Sequence, residues 1–160
     1  MAINAGDAMP AGVLGVVTES GPAAISTEEL FSGKKVVLFT VPGAFTGTCS
    51  EQHVPGYVQN AAALREKGVD TVACLSVNDI AVMQAWGEDR NVGDAVTMLA
   101  DGNCDYARAL GLEVDLSAFG MGFRAKRAAL VVDDGVATTV AVEEPGQFEV
   151  SKAESILEGL

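Results

Sequence analysis

The apolar segment from Val36 to Val41 constrains the fold of this chain more than any other feature. It is uncharged and rich in β-branched residues, which is typical of a buried strand. The strand breakers Pro42, Gly43 and Gly47 follow it and predict a tight loop before a helix. A buried strand that leads through a short loop into a helix is the unit from which α/β proteins are built, so we expect an α/β fold.

Cys49 is the residue of this unit that carries chemistry. We expect Thr48 to cap the helix, with Glu51 completing a capping box, so that Cys49 lies in the first turn. Backbone N–H groups that point outward from a helix start favour a thiolate, and they lower the pKa of a cysteine placed there. Cys49 is therefore predicted to be a nucleophile, against the alternative that it is a small, buried apolar residue.

Pro55 is expected to disturb the same helix. It lacks the N–H group that would bond the carbonyl of Glu51, and Gly56 follows it. We therefore expect a kink between the turn that contains Cys49 and the rest of the helix, which would allow the first turn to unwind alone.

The composition favours one compact domain. The chain has 160 residues, 49% of them hydrophobic, so we treat residues 1–160 as a single domain with its own core. The net charge of −12 disfavours nucleic acid and anionic membranes as partners. The first residues lack the basic and apolar regions of a signal peptide, which indicates a cytoplasmic protein. Three cysteines without a C-x-x-C pair disfavour a disulfide scaffold or a dithiol motif.

Apolar runs alternate with helical patterns along the rest of the chain. This alternation, closed by a hairpin and a last helix, predicts a thioredoxin-like fold in which helices flank a central mixed sheet. The predicted strands are Val13 to Val17, Val69 to Val77, Val96 to Ala100, Arg127 to Val132 and Val136 to Val142. One predicted helix begins at the Ser26 to Glu29 capping box, and the last begins at the Ser151 to Glu154 cap. Between them, one helix is predicted from Asn78 and Asp79 to about Arg90 and another from Cys104 to Leu110.

The segment from Val41 to Gly56, which reads VPGAFTGTCSEQHVPG, resembles the active site of the peroxiredoxins. It is most similar to the type II, or peroxiredoxin-5-like, branch. Ala73 to Asp79, Trp86-Gly87 and Lys126-Arg127 also resemble that branch, and the likeness extends from about Gly6 to the C-terminus. The resemblance implies a thiol-dependent peroxidase that reduces hydrogen peroxide and small organic hydroperoxides.

The resemblance also implies a role for each site residue. Cys49 is the expected nucleophile, which becomes a sulfenic acid as the O–O bond breaks. The Thr46 hydroxyl is expected to donate to the bound peroxide or accept from it, and Pro42 to cover the thiolate without offering an N–H group. Arg127 would stabilise the thiolate and the leaving oxygen. Arg124 is given a supporting role.

His53, the only histidine, leaves two alternatives open. Its spacing from Cys49 would place both residues on one helix face, as in a hydrolase or acyl transferase with His53 as the base. A non-catalytic zinc site is the second alternative, formed by these two residues with Cys74 and Cys104, although a close C-x₂₋₄-C pair is missing. We prefer a supporting role in which His53 packs and hydrogen-bonds near the site.

The sequence narrows how the sulfenic acid is reduced. Cys74 has a spacing from Cys49 that resembles type II members with a proposed resolving cysteine, but it lies inside an apolar strand and is expected to be buried. Cys104, at a predicted helix start, is either activated or incidental. We therefore expect a one-cysteine cycle in which glutathione and glutaredoxin are the reductant, with an internal disulfide through Cys74 as the alternative and thioredoxin still possible.

The resemblance further implies a homodimer and no bound cofactor or metal. The dimer implied by the resemblance is built through loops beside the active site, and Phe45 and the loop from Phe119 to Phe123 are the candidate contacts. The external thiol would be the only co-reactant.

Overall fold

The computed structural model describes residues 2–160. The strands are β1 (Val13–Thr18), β2 (Gly21–Ser26), β3 (Lys35–Val41), β4 (Thr71–Ser76), β5 (Thr97–Ala100), β6 (Glu113–Asp115), β7 (Phe123–Ala125), β8 (Ala128–Asp133) and β9 (Val136–Val142). The helices are α1 (Thr27–Phe31), α2 (Val54–Glu66), α3 (Ile80–Asp89), α4 (Asp105–Ala109) and α5 (Ala153–Glu158), with a π-helical turn at Cys49–His53 and a 3-10 helix at Ser117–Phe119. Within residues 2–160, the helices lack the length and apolar character needed to cross a bilayer.

The main sheet of the described chain has seven strands in the order β2-β1-β5-β4-β3-β8-β9. β3, β4 and β5 are parallel, as expected for strands joined through helices, and the other neighbours pair antiparallel. β6 and β7 form a separate antiparallel pair. The predicted fold class, a thioredoxin-like mixed sheet with helices on both faces, is confirmed.

The sheet separates two apolar cores. On one face, α1 and α4 pack over residues such as Leu38 and Leu75. On the other, α2, α3 and α5 pack over Phe39 and Cys74. Successive side chains of a strand point to opposite faces, so β3 has to be apolar on both sides. This is the physical reason for its uncharged sequence.

The structure confirms two predicted helix starts. The hydroxyl oxygen of Ser26 accepts from the N–H of Glu29 at 3.1 Å and caps α1, as predicted. The predicted capping box is only half formed, because the Glu29 carboxylate accepts from the Ser26 hydroxyl rather than from its N–H. Asp79 accepts from the N–H of Val82 at 2.8 Å and caps α3. Both caps use a partner within one turn, which is the range that a sequence pattern describes.

The predicted Thr48 cap is wrong. The helix begins at Gly47, since the N–H of Ser50 donates to the carbonyl of Thr46 at 2.9 Å. Thr48 already has helical φ and ψ of −60° and −36°, and its side chain makes no capping bond within residues 2–160. A cap needs extended backbone angles, so Thr48 lies inside the helix and Glu51 lies in the π-helical turn rather than in a capping box.

The irregularity expected at Pro55 takes the form of this π-helical turn. The N–H of Val54 donates to the carbonyl of Cys49, one residue farther back than in an α-helix. Pro55 then falls in the first turn of α2. Its missing N–H group leaves the Ser50 carbonyl without a helical donor, and this carbonyl accepts from Arg90 instead. The Cys49 turn and α2 are therefore distinct segments of one continuous helix.

The predicted Ser151 cap is also wrong. α5 begins after Lys152, and the Ser151 hydroxyl donates to the Glu143 carboxylate at 2.7 Å. The hydroxyl thus bonds a side chain distant in sequence instead of accepting from an N–H group of its own helix. The sequence also fails to predict β2, which is rich in glycine, proline and alanine, and the β6–β7 pair, whose strands are too short to show a pattern.

Candidate active site

The candidate active site lies where the carboxyl end of β3 meets the start of β8. These strands are antiparallel and pair Thr40 with Ala128, so Arg127 comes beside the loop that follows β3. That loop leads into the helical turn that contains Cys49. The strand register therefore brings together residues that are far apart in sequence.

Arg127 contacts the sulfur of Cys49 directly, with 3.0 Å between Nη2 and Sγ. Cys49 is fully buried, and the guanidinium of the half-buried Arg127 lies 5.9 Å from the ring centroid of Phe148. A guanidinium remains protonated throughout the physiological pH range, so it is both a fixed positive charge and a donor beside the sulfur. This arrangement can stabilise a thiolate and a negatively charged oxygen bound next to it.

His53 holds the other edge of the guanidinium. Its Nδ1 lies 2.9 Å from Nη1 of Arg127, and its Nε2 lies 3.1 Å from the carbonyl oxygen of Ser151. Because arginine can only donate, Nδ1 accepts and the single proton of the neutral ring lies on Nε2. Burial, reinforced by the charge of Arg127, lowers the pKa of His53 to about 3, so the ring is neutral at physiological pH.

The loop after β3 positions Thr46 and Pro42. Oγ1 of Thr46 donates to the carbonyl of Gly43 at 2.6 Å, which leaves its lone pairs to accept from another donor. Pro42 has no N–H group, and its carbonyl accepts from Nη1 of Arg124 at 3.3 Å. Nε of Arg124 donates to the carbonyl of Met121 at 2.9 Å. Arg124 thus ties two loops together, in line with the supporting role expected for it.

Asn78 is a site residue that the sequence analysis missed. Its Oδ1 accepts from the N–H of Ala44 at 3.0 Å and from the hydroxyl of Ser76 at 2.5 Å, so it holds the loop after β3 to the end of β4. The sequence pattern assigns Asn78 and Asp79 together to the cap of α3. The Asp79 side chain suffices for that cap, so the sequence already indicated that Asn78 bonds a different partner.

Two residues of α3 anchor the turn that contains Cys49. The indole N–H of Trp86 donates to the hydroxyl of Ser50 at 2.9 Å, and Nη1 of Arg90 donates to the carbonyl of Ser50 at 3.1 Å. The sequence analysis noted Trp86 only as part of a resemblance and Arg90 only as a helix end. Their shared partner depends on how α3 packs against the turn, which no local pattern specifies.

Comparison with known proteins identifies the family. Residues 4–157 match the family model described as Redoxin. Peroxiredoxin-2C of Oryza sativa subsp. japonica is 48% identical over 159 residues, which are 99% of this chain and 98% of that protein. The chain belongs to the peroxiredoxin family. Its relatives carry names of the peroxiredoxin-2 group, so the predicted type II branch is also confirmed.

Two further comparisons extend this assignment. Peroxiredoxin-2E of Arabidopsis thaliana, named as chloroplastic, is 44% identical over 99% of this chain and 69% of that protein. The crystal structure of reduced Prx3 in complex with H₂O₂ from Vibrio vulnificus has a TM-score of 0.94 and 51% identity, and the match covers 98% of both chains. The protein is thus a peroxidase of the oxidoreductase class that uses a thiol.

Cys74 of this peroxiredoxin lies in β4, the middle strand of the sheet, between Phe39 of β3 and Met98 of β5. It is fully buried, as expected from its place in an apolar strand. Burial, and then the nearby Cys49, raise the pKa of Cys74 well above its usual value. The geometry therefore favours a structural, protonated Cys74.

Cys104 lies on the other side of the sheet from Cys49, in the core formed with α1 and α4. Its backbone has a φ of 64°, and its sulfur is 3.9 Å from a carboxylate oxygen of Glu113. Burial and the negative charges of Asp101 and Glu113 raise the pKa of this thiol. Cys104 is therefore not an activated cysteine, although it does precede a helix as expected.

The geometry opposes both alternatives to a peroxidase. In a hydrolase, His53 would have to accept a proton from Cys49, but its Nδ1 accepts from Arg127 and its Nε2 donates to Ser151. In a zinc site the three cysteines would have to converge, yet Cys104 lies in a different core. Throughout residues 2–160, no three His, Cys, Asp or Glu side chains are placed to hold a metal ion together.

Proposed function

We propose that this peroxiredoxin reduces hydrogen peroxide and small organic hydroperoxides with Cys49 as the reacting thiolate. The observation that carries the proposal is the 3.0 Å contact between the Arg127 guanidinium and the Cys49 sulfur. The sulfur attacks one peroxide oxygen, and an S–O bond forms as the O–O bond breaks. The sulfur loses two electrons to the peroxide, and the leaving hydroxide or alkoxide takes up a proton to become water or an alcohol.

Three further residues would act on the peroxide or its surroundings. Arg127 donates to the oxygen on which charge develops, which lowers the barrier in a site from which water is excluded. The Thr46 oxygen accepts the peroxide O–H, because its own proton is bonded to Gly43. Pro42 shields the sulfur without a competing donor.

The size limit on the substrate follows from the burial of Cys49. A fully buried sulfur is best reached by a peroxide of few atoms, so small hydroperoxides are favoured over bulky ones. The complex of the Vibrio vulnificus relative with H₂O₂ supports hydrogen peroxide as one substrate.

The sulfenic acid would be reduced by an external thiol. That thiol attacks the sulfur of Cys49, an S–S bond forms and water leaves, and a second thiol then exchanges to release the Cys49 thiolate and a disulfide. The burial of Cys74 and the acidic surroundings of Cys104 support this one-cysteine cycle. Glutathione with glutaredoxin is our preferred reductant, and thioredoxin is the alternative.

A homodimer through the loops beside the site is part of the proposal. Phe45, Phe119 and Phe123 are 54%, 78% and 50% exposed, and the bond from Arg124 to Pro42 holds their two loops against each other. Exposed aromatic residues on adjacent loops favour an interface. Light scattering should give the mass of a dimer, and Phe119→Asp should give a monomer; a monomeric wild-type protein would contradict the proposal.

A cytoplasmic location stays a prediction, because some of the relatives are named as chloroplastic and others as mitochondrial.

The experiment that tests the proposed function is the intact mass of the reduced protein within a second of adding one equivalent of hydrogen peroxide. Wild type should gain about 16 Da, the mass of one oxygen, and Cys49→Ser should not. A loss of about 2 Da would indicate an internal disulfide and would contradict the one-cysteine cycle. An unchanged wild-type mass would contradict the peroxidase role of Cys49 itself.

A further inference from the structure

The segment from Glu143 to Ser151 closes a ring of hydrogen bonds around the Arg127 side chain. Starting from the sulfur of Cys49, Arg127 bonds His53, and His53 bonds the carbonyl of Ser151. Ser151 in turn donates to Glu143 through its N–H at 2.9 Å and its hydroxyl at 2.7 Å. The N–H of Glu143 then donates to the carbonyl of Arg127 at 2.9 Å, which completes the ring.

The Glu143 carboxylate is the charged member of the ring farthest from the sulfur. It is buried, and one of its oxygens also accepts from the N–H of Glu149 at 2.8 Å. Burial opposes ionisation, but the bonds from Ser151 and the neighbouring N–H groups outweigh it and lower the pKa of Glu143. Three donors bond one oxygen of the Glu143 carboxylate, and these charge-assisted bonds hold the backbone from Glu143 to Ser151 in place.

The Ser151 carbonyl and the Arg127 guanidinium together decide which nitrogen of His53 bears the proton. With Nε2–H donating to this carbonyl, Nδ1 must be an acceptor, and only an acceptor can hold the guanidinium. The hydroxyl of Tyr57 donates to the same carbonyl at 2.7 Å. If the carbonyl moved, only Arg127 would favour the tautomer with Nε2 protonated, so a fraction of the rings would carry the proton on Nδ1 and would not bond Arg127.

We propose that Glu143 is a positioning residue for the peroxide step: through Ser151 it holds the histidine in the tautomer that orients the Arg127 guanidinium toward the sulfur. The inference rests on the proposed role of Arg127 at Cys49. Glu143 itself touches neither the sulfur nor the peroxide in this arrangement. Glu143 affects the orientation of the Arg127 guanidinium and leaves the charge of that group unchanged.

The chain offers a clean test because His53 is its only histidine. Nitrogen NMR of reduced, full-length protein labelled with ¹⁵N-histidine reports one ring, and protonated and unprotonated nitrogens give distinct shifts. Wild type should show a single neutral tautomer with Nε2 protonated at pH 7. In Glu143→Ala, the two nitrogen signals should move toward each other as the tautomers exchange.

The same variant should oxidise more slowly. At a pH that saturates the thiolate, the rate of Cys49 oxidation by hydrogen peroxide should fall about tenfold in Glu143→Ala, as expected for a donor that is present but misaligned. Glu143→Gln, whose amide oxygen can still accept, should recover part of the rate and the wild-type tautomer. Glu144→Ala is the matched control, because Glu144 is the adjacent, exposed carboxylate.

The outcomes separate the two proposals. Wild-type nitrogen signals and rate in a folded Glu143→Ala protein would overturn the positioning role while leaving the peroxidase intact. If that variant does not fold, Ser151→Ala, which loses the hydroxyl bond to Glu143 but keeps the N–H bond and the carbonyl, should move the same signals in the same direction by a smaller amount. Unchanged signals there would also overturn the inference. A wild-type protein that forms no sulfenic acid would instead contradict the proposed function, whatever the tautomer.

Discussion

The Thr46 hydroxyl has one proton, and the structure directs that proton to the carbonyl of Gly43. From the sequence alone, Thr46 was equally able to donate to a peroxide or to accept from it. The 2.6 Å bond to Gly43 uses the only hydroxyl proton, so the Thr46 oxygen can then act toward a peroxide only as an acceptor. A bound peroxide would therefore donate its O–H to Thr46 and accept from Arg127, which orients the O–O bond.

Replacement of Thr46 tests this orientation. Thr46→Val keeps the shape of the side chain and removes the acceptor, so the rate of Cys49 oxidation by hydrogen peroxide should fall by about a hundredfold. Thr46→Ser keeps the hydroxyl and should stay close to wild type. Rapid-quench mass spectrometry measures both rates. A Thr46→Val protein that reacts as fast as Thr46→Ser would contradict the role of the hydroxyl.

Arg127 makes two directed bonds, one to the sulfur of Cys49 and one to His53. Arg127→Lys keeps the positive charge but replaces the planar guanidinium, which donates in two fixed directions, by a compact ammonium group. We expect the peroxide step to slow by about a hundredfold even at a pH where the thiolate is fully formed. Arg124→Lys is the matched control, since Arg124 bonds only carbonyl groups of the loops. Equal rates for wild type and Arg127→Lys would show that charge alone suffices.

At the scale of the element, the π-helical turn Cys49–His53 has to serve two steps with opposite needs. The peroxide step needs a buried sulfur held beside the guanidinium. The reduction step needs a sulfur that an external thiol can reach, but in this conformation the Cys49 sulfur is fully buried. The proposed one-cysteine cycle therefore requires the turn to open and close, and the bonds of Trp86 and Arg90 to Ser50 would oppose its opening.

Removal of one anchor should alter the two steps differently. Arg90→Ala loses the bond to the Ser50 carbonyl, which at a partly exposed site stabilises the closed turn by about 1.5 kcal/mol. Reduction of the sulfenic acid by glutathione should become about tenfold faster. The peroxide step should be unchanged.

Single-turnover kinetics of the two half-reactions measure these effects. Arg65→Ala is the control, because Arg65 makes a comparable bond to the carbonyl of Asp94, away from the turn. An unchanged rate of reduction in Arg90→Ala would show that opening of the turn does not limit this step.

At the scale of the whole molecule, the burial of His53 links the active site to the stability of the fold. The ring packs against Phe39, Tyr57 and Phe148, with ring centroids 4.8, 5.6 and 5.0 Å away. Its pKa of about 3 in the folded protein is below the ordinary value of 6.5. Between these values the unfolded chain binds a proton that the folded protein does not, so stability is lost as the pH falls.

Denaturant unfolding at several pH values tests this link. Below pH 6.5 the free energy of unfolding should decrease by about 1.4 kcal/mol for each pH unit through His53 alone. His53→Gln should be less stable at pH 7 and should lose this dependence between pH 6.5 and 5. The Glu143 carboxylate also destabilises the fold on protonation, but only at lower pH, since the ordinary pKa of a glutamate is 4.5. Parallel pH profiles for wild type and His53→Gln would contradict the argument.

Much of the fold was predictable because its signals are local. The apolar β3, the Ser26 and Asp79 caps and the hairpin of β8 and β9 follow from strand composition, turn residues and partners within one helical turn. The two wrong caps have different causes: Thr48 already has helical backbone angles, whereas the Ser151 hydroxyl bonds the distant Glu143 instead of its own helix. Local patterns contain no information about such competitors.

The sequence by itself determined most of the strand and helix pattern, the buried place of Cys74 in its strand and, through the Val41 to Gly56 segment, the family and the candidate nucleophile. The tertiary structure alone decided what surrounds that nucleophile. The antiparallel register of β3 and β8 placed Arg127 at the sulfur, and the packing of the 143–151 segment gave His53 its partners. Backbone conformation depends on neighbours along the chain, whereas hydrogen-bond partners depend on which segments the sheet brings together.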